Sequence, residues 1–578
     1  MSTNGATFVP RNMGAGRIAT GKIIANPNRF WHSVAAYMRI FSVFSRRFIL
    51  LALAAGLPAF CRADAPNNVV LQYHFLGARE LAKSPDVGSA RNVFALRSSI
   101  AFDNLVLNLL ARDTALYLSL PANAFTFSNL GPLLDELQRA ESVGSLGATT
   151  GQPLDFVLAV KLPKDRAKTW QSILIKVNKG PGDELRAESF VGRQWNGGRT
   201  EGFWFVPAGD WLVIGQGESL AATRSAYLRQ IQATGQPTTA LGKKCFEADV
   251  DWPRLAQWAP LATCPFRLAR THIDIAPTSG SLLLTCKVDY GEAVPWQPQP
   301  WRVPSELIKE PLVSFTTGQD VEPFLKSDET LASFSSNPLR SQFYFWSMSE
   351  MPLESYVAWP EDNPKETLKN LSSEVLAAFN PKLKALNNSQ LIWRPDISQI
   401  LWTGLTLASP HLQAAPESAG SFLVGGLFPL TPGTGPAPEA LWEQFKNRTD
   451  LVYYDWELTG PRILRLLPET QMVPVFDMLG IHSSVPYTGK KTPADIALDA
   501  RLRVNEQWLT GLGRVLGNTV TEISKTSPGE LTIVRNSPFV FSSLELVLLS
   551  HVLSDTPAGP IDYGLIPQAK ISGPGMPH

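Results

Sequence analysis

The chain has 578 residues, 44% of them hydrophobic and 18% charged, with a formal net charge of +1. That balance is ordinary for a folded globular protein and excludes an extensively disordered or mostly membrane-embedded chain. The length exceeds what one compact core reaches, roughly 250 to 300 residues, so two or more domains are expected.

The charge is unevenly spread. Residues 1–63 hold eight Lys or Arg and no acid, which leaves 44 basic against 51 acidic residues in the remainder, a net of −7. A slightly acidic body offers no broad phosphate-binding field, so no nucleic-acid partner is expected.

Residues 1–37 are rich in Gly, Asn and Ala and lack sustained periodicity. After them, "MRIFSVFSRRFILLALAAGLPAFCRADA" (38–65) has the three parts of a secretory signal: a basic region with Arg39, Arg46 and Arg47, an apolar run from Phe48 to Phe60, and small residues before a cut. The run is short and contains Gly56 and Pro58, whereas a spanning helix needs roughly 20 apolar residues. The segment therefore predicts export to the periplasm or exterior, with no permanent transmembrane helix after cleavage. A cut between Ala63 and Asp64 is favoured over one after Ala65, which would put Pro66 just past the scissile bond. Phe60 before Cys61 argues against a lipoprotein anchor. Ser45-Arg46-Arg47 shares the paired arginines of a twin-arginine signal, but Phe48-Ile49-Leu50 departs from its usual continuation, and both export routes stay open. The late position of the signal points to translation starting at Met38, and a long unstructured leader is the alternative.

The body then presents the same succession twice. "HFLGARELAKS" (74–84) parallels "SFTTGQDVEPFLKS" (314–327), and "DFVLAVKLPKDRAKTWQSIL" (155–174) parallels "SYVAWPEDNPKETLKNLSSEVL" (355–376), each a strand followed by Pro-Lys and an amphipathic helix. "WLVIGQGESLAATRSAYL" (211–228) parallels "FLVGGLFPLTPGTGPAPEALWEQF" (422–445), and "ADVDWPRL" (248–255) parallels "YYDWELTGPRI" (453–463), which would match Asp251-Trp252 with Asp455-Trp456. Last come two hairpin candidates, "IDIAPTSGSLLLTCK" (273–287) and "TEISKTSPGELTIVR" (521–535), whose turns "TSGS" (278–281) and "TSPG" (526–529) are expected at equivalent places.

The expected fold class is accordingly α+β: two tandem related modules, 66–304 and 305–556, with antiparallel sheets and packed amphipathic helices. They meet near "GEAVPWQPQPWRVP" (291–304), a linker or an extended packed crossover. A Pro- and Gly-rich tail, 557–578, should be loosely attached. Strands such as "DFVLAVKL" and "DWLVIG", with the Asp-Trp strand-to-helix junction, make this organisation resemble a family of uncharacterised exported bacterial proteins with repeated α+β modules. The resemblance covers most of residues 66–556. It implies export and fold and supplies no catalytic residues.

Three cysteines follow the signal. Cys286 falls on the apolar face of "SLLLTCKVDY", the place of an inert thiol, and if one disulfide forms, Cys245 with Cys264 is the expected pair.

Familiar chemistries find little footing. Gly215-Gln216-Gly217 follows a strand and precedes a helix, but Leu220 stands where a dinucleotide fingerprint needs its third glycine; a tight turn with Ser219 capping the helix is the expected role. "TGKKT" (488–492) lacks phosphate-loop spacing. The histidines are scattered, with no local zinc motif, and neither Gly-x-Ser-x-Gly nor Ser-x-x-Lys occurs. Glu361-Asp362 is expected in a solvated turn or helix entrance. Trp170, Trp211 and Trp252 fall on apolar periodicities and are expected in the core rather than on a sugar-binding platform. Asp251 with Arg254, and Asp455 with Arg462, are expected to cap or pair at strand-to-helix junctions.

No catalytic, metal-binding or cofactor residue is singled out, and no cofactor is expected. The expected function is a soluble, exported, non-enzymatic role in binding or envelope organisation, with a protein or an envelope glycan as partner; the alternative is an envelope or extracellular hydrolase with a non-local site. The exported product is expected to begin at Asp64, and a gene starting at Met38 to be exported equally well. N-terminal sequencing of periplasmic or secreted material checks both, and residues 1–37 retained on that product would refute them.

Overall fold

The computed structural model describes residues 68–117, 124–147, 155–178, 190–194, 200–217, 219–258, 267–324, 342–348, 354–387, 390–404, 409–430, 433–471 and 493–556. The signal with its cut at Ala63 and Asp64, the segment 488–492 and the tail lie outside them.

Strand β1 (Val69–Phe75) leads into helices α1 (Gly88–Ala95), α2 (Arg97–Tyr117) and α3 (Ala124–Arg139). Next come β2 (Ser142–Gly147), β3 (Asp155–Lys161), α4 (Lys164–Asn178), β4 (Phe190–Gln194), β5 (Thr200–Ala208), β6 (Trp211–Gln216), α5 (Ala221–Thr234), β7 (Phe246–Asp251), α6 (Trp252–Trp258), β8 (Arg270–Thr278) and β9 (Ser281–Asp289). After a crossover follow β10 (Leu312–Gln319), β11 (Gln342–Met348), β12 (Ser355–Pro360), α7 (Pro364–Asn387), β13 (Gln390–Arg394), β14 (Gln399–Thr403), β15 (His411–Ala414), β16 (Phe422–Gly426), α8 (Glu439–Glu443), β17 (Leu451–Leu458), α9 (Thr459–Gln471), α10 (Pro493–Val515), β18 (Asn518–Ser527), β19 (Glu530–Ser537) and α11 (Ser543–Leu553). The fold is α+β.

Among the described residues these 19 strands join one sheet, Lys309–Glu310 and Gly435–Pro436 forming a separate short pair, and each neighbouring pair in the sheet is antiparallel. The middle pair is β9 with β19, Cys286 standing opposite Ile533. Outward from it the order on one side is β9, β8, β7, β1, β2, β3, β6, β5, β4. On the other it is β19, β18, β17, β10, β11, β12, β16, β15, β14, β13.

Both hairpins form within the expected segments. The β8–β9 turn places Ser279 and Gly280 at φ 43° and 91°, between the paired Thr278 and Ser281; a two-residue turn with both φ positive matches the twist of the strands it joins. The β18–β19 turn is shifted by one residue relative to the expected alignment, with Pro528-Gly529 between Ser527 and Glu530, and a ladder irregularity between Lys525 and Ser527 absorbs the difference. The Asp-Trp correspondence does not hold. Asp251 ends β7 and Trp252 opens α6, whereas Asp455 and Trp456 lie inside β17 and its helix starts only at Thr459. Both indoles are half-buried, so the penalty of a fully buried Trp does not apply to them.

Segment 291–304 is a packed crossover. Val294 N donates to Pro528 O (2.8 Å), and the buried Trp301 donates its Nε1 to Arg448 O (3.0 Å).

On one face, helices from both parts of the chain share an apolar core. Phe102, Leu107 and Leu110 of α2 pack with Ile463 of α9, Trp508 and Leu512 of α10 and Leu546 of α11. Phe102 stacks on Trp508 at 4.1 Å between ring centroids, and Trp508 Nε1 donates to Ser99 Oγ (3.1 Å). The α9–α10 approach requires a residue without Cβ at position 460, where a Cβ would fall 2.6 Å from Gly513 O. The opposite face is covered twice: by α5 over Val143, Val157 and Val213, and by α8 with the end of the crossover over Phe315, Tyr344 and Trp346. Among the described residues no single helix is long and apolar enough to cross a membrane.

Trp508→Ala should cost about 3–5 kcal/mol, the usual range for emptying a buried Trp site. In a double-mutant cycle with Phe102→Ala, the pair should couple by about 0.5–1.5 kcal/mol. Denaturant unfolding measures both, and additive losses would show that the stack does not tie these helices together.

Candidate functional site

Between the two covered regions, one face of β7, β8, β9, β19 and β18 carries no buried residue, and among the described residues no helix packs on it. Alternation explains why: Ala248 and Val250 of β7 turn to the core, and Glu247, Asp249 and Asp251 turn the other way. On β8 the same face carries Arg270, His272 and Asp274.

Register turns these residues into a block. Glu247 stands directly opposite Asp274, and Asp249 directly opposite His272. Asp249 Oδ1 lies 3.1 Å from His272 Nδ1, and Asp274 Oδ2 lies 3.3 Å from His272 Nε2. Lys244, just ahead of β7, reaches in with its ammonium: it binds Glu247 Oε1, and Asp274 Oδ1 lies 2.7 Å away. Partial burial works against this charge, but the hydrogen bonds to Asp274 and Glu247 outweigh it and hold Lys244 above its ordinary value. Burial raises the Glu247 carboxyl, with Lys244 opposing. The hydrogen bond that His272 donates to Asp249 raises the imidazole above its ordinary value against its partial burial. Donor atoms of Glu247, His272 and Asp274 lie within 4.8 Å of one another. Lys244, Glu247, Asp249, His272 and Asp274 were not singled out in the sequence; the polar alternations in "CFEADVDW" and "RTHIDIAPT" were the available signal.

A second polar group is sealed beneath α9 and α11. Glu457 is fully buried and accepts from Ser543 N and Ser543 Oγ, both at 2.6 Å, and from Arg462 Nη1 at 2.7 Å. Ser543 opens α11, so the carboxylate sits at a helix N-terminus, where the dipole favours it. Asp455 is served worse. Thr316 Oγ1 donates to it (2.5 Å), while Arg462 stands 3.7 Å away and is engaged by Glu457. Burial, with the Glu457 charge adding, overcomes the pull of Arg462 and raises Asp455 to about 6. The expected ion pair of Asp455 with Arg462 is thus the lesser of two, and Asp251 takes its expected capping place by accepting from Arg254 N (3.1 Å).

The other candidates resolve into structural contacts. Ser219 does not cap α5, whose N-cap is Leu220 with no side-chain bond. Asp155 Oδ2 instead accepts from Ser219 N (2.9 Å). Gly217, at φ 82°, makes room for it, since a Cβ there would come within 1.8 Å of the Asp155 carboxylate. The turn that resembled a phosphate cradle is filled by the chain's own carboxylate. His74 lies between Glu141 Oε1 (3.0 Å) and Thr238 Oγ1 (3.4 Å), in the order of a hydrolase triad, but Thr238 is buried. Glu361 is buried, against the expectation of a solvated pair, whereas Asp362 pairs with Arg302 at the surface.

Cys245 and Cys286 are free and buried, and burial pushes their thiols up to about 11 and about 12. The expected Cys245–Cys264 pair is therefore not formed at Cys245, which faces the core and donates to Ile275 O (3.4 Å); Cys264 lies outside the described residues. Trp170 and Trp211 are core residues as expected, and none of the tryptophans whose side chains are described is exposed.

Asp455→Asn should change how stability depends on pH. With its folded value near 6 against roughly 4 when unfolded, the native state binds the extra proton between these limits, so this group makes stability fall as pH rises through the window. From pH 4 to 7 the natural protein should lose up to about 3 kcal/mol relative to the variant. Parallel denaturation profiles over that range would rule this out.

No family model, curated protein or solved structure matches this chain.

Proposed function

We propose that the chain is an exported protein of two related α+β modules, residues 66–304 and 305–556, that binds a partner rather than turning over a substrate. The observation that carries the modular reading is the strand order, which runs outward from β9–β19 through matching connections for seven strands on each side, after which β5 and β4 end one side and β15, β14 and β13 the other. Helices repeat with it: α4 follows β3 as α7 follows β12, α5 follows β6 as α8 follows β16, and α6 follows β7 as α9 follows β17. Export rests on residues 38–65.

Binding is favoured by the uncovered face, which spans the join and is composed from both halves. Asp289 and Glu530 add to the acids of the β7–β8 block, against Lys244, Arg270 and Lys287, while Glu522 is paired with Arg448 (3.4 Å); the remaining excess of acid favours a protein partner presenting basic side chains. The absence of exposed indoles among the described tryptophans makes an envelope glycan the weaker choice.

Asp289 and Glu530 stand directly opposite each other in the central ladder, which makes them the test. Envelope extracts are passed over the natural protein, over Asp289→Lys/Glu530→Lys, and over Glu439→Lys, an exposed position of α8, and any captured protein is purified and rebound. A partner held by the first and third and lost by the second supports the reading. Equal capture by all three, no capture, or turnover in a hydrolase screen would overturn it.

A further inference from the structure

We propose that Glu247, His272 and Asp274 form a binding site for a divalent transition metal of the zinc class, with Lys244 as its built-in competitor and Asp249 as the group that orients the histidine. The inference rests on the ladder geometry and is independent of the partner-binding reading.

The first argument is electrostatic. Glu247 and Asp274 are directly opposite in the β7–β8 ladder, and like charges in that relation destabilise a sheet. The pair persists because a cation lies between the two carboxylates, and in this structure it is the ammonium of Lys244. A divalent ion in the same position would neutralise more charge and would coordinate the oxygens directly.

The second argument is directional. His272 keeps one ring nitrogen, Nδ1, against Asp249 Oδ1 at 3.1 Å and turns Nε2 towards Asp274 at 3.3 Å. A carboxylate on the far nitrogen is the usual support of a metal-binding imidazole, fixing the tautomer and aiming the lone pair. Neighbouring donors on a metal with bonds near 2.0–2.2 Å lie about 3–3.5 Å apart. The His272–Asp274 spacing already meets that requirement, and the three donors, within 4.8 Å of one another, need only a side-chain rotation to close on an ion.

The third argument concerns access. The donors project from two paired strands onto a face with no buried residue, so an ion enters without opening the core. Three protein ligands leave at least one coordination position towards solvent. Lys244 hangs on a flexible stem and is about one-third exposed, at 34%, so it can swing out as an ion enters. One imidazole with two carboxylates is a mixed nitrogen and oxygen set, suited to Zn²⁺ more than to Mg²⁺ or Ca²⁺.

The test uses the full chain stripped with chelator and titrated with Zn²⁺ by calorimetry, with Co²⁺ absorption as a spectroscopic probe of the ligand set. One equivalent is expected. His272→Gln and Asp274→Asn should each weaken it at least 100-fold and alter the Co²⁺ spectrum. Lys244→Gln, which removes the competitor and none of the ligands, should tighten it about tenfold. Thermal melts confirm that each variant is folded. Zn²⁺ binding that survives His272→Gln, no binding to the natural protein, or weaker binding by Lys244→Gln would overturn the proposal.

Discussion

Eight residue pairs, from Leu282 opposite Ser537 to Asp289 opposite Glu530, hold β9 against β19, and the rest of the architecture depends on this ladder. It converts two runs of strands into one sheet. Because the pairing is antiparallel, the two hairpin turns project from opposite ends of the strands. Helices α2, α9, α10 and α11 can then share one apolar core over the middle, because the sheet beneath them is continuous. Without the ladder, β9 and β19 would each present a row of unpaired amides, and the contact of Phe102 with Trp508 would lose its foundation.

The two faces of these central strands handle charge in opposite ways. Beneath the helices, desolvation is severe and only full pairing is tolerable. Glu457 therefore takes both donors of Ser543 and the guanidinium of Arg462, and Asp455 is left with a hydroxyl and a distant cation. On the open face, water screens the residual charges, and an acid-rich block survives with Lys244 bridging it. The same alternation that commits Ala248 and Val250 to the core commits Glu247 and Asp249 to that block.

Local signals in the sequence were strong where a residue's backbone preference decided the structure. Ser-Gly and Pro-Gly between apolar alternations gave both hairpins, and the strands and helices around "DFVLAVKL" and "WLVIGQ" follow their periodicities. Signals that depended on register were not legible. Asp-Trp occurs twice, but similar dipeptides do not determine where a strand stops: β17 continues through Glu457 and Leu458, so the second pair sits deeper in the sheet. The β7–β8 block was missed for the same reason. Its two groups, 244–249 and 272–274, are separated by more than twenty residues in sequence, and their juxtaposition depends on which residue of β8 faces which residue of β7. Gly217 was expected in a tight turn with Ser219 as the helix cap, and a sequence does not show that Asp155 on the neighbouring strand takes the Ser219 N–H and fills the space beside the glycine.

Among the described residues the sheet does not close on itself, and β13 is the outermost strand at one end. Along it, the side-chain amide of Asn380, from α7, donates to Leu391 O and accepts from Leu391 N, at 3.0 and 2.6 Å. A single side chain thereby imitates the rung that another strand would provide. Head-to-tail growth of such sheets into filaments would need that rung, and the chain has already occupied it with its own amide.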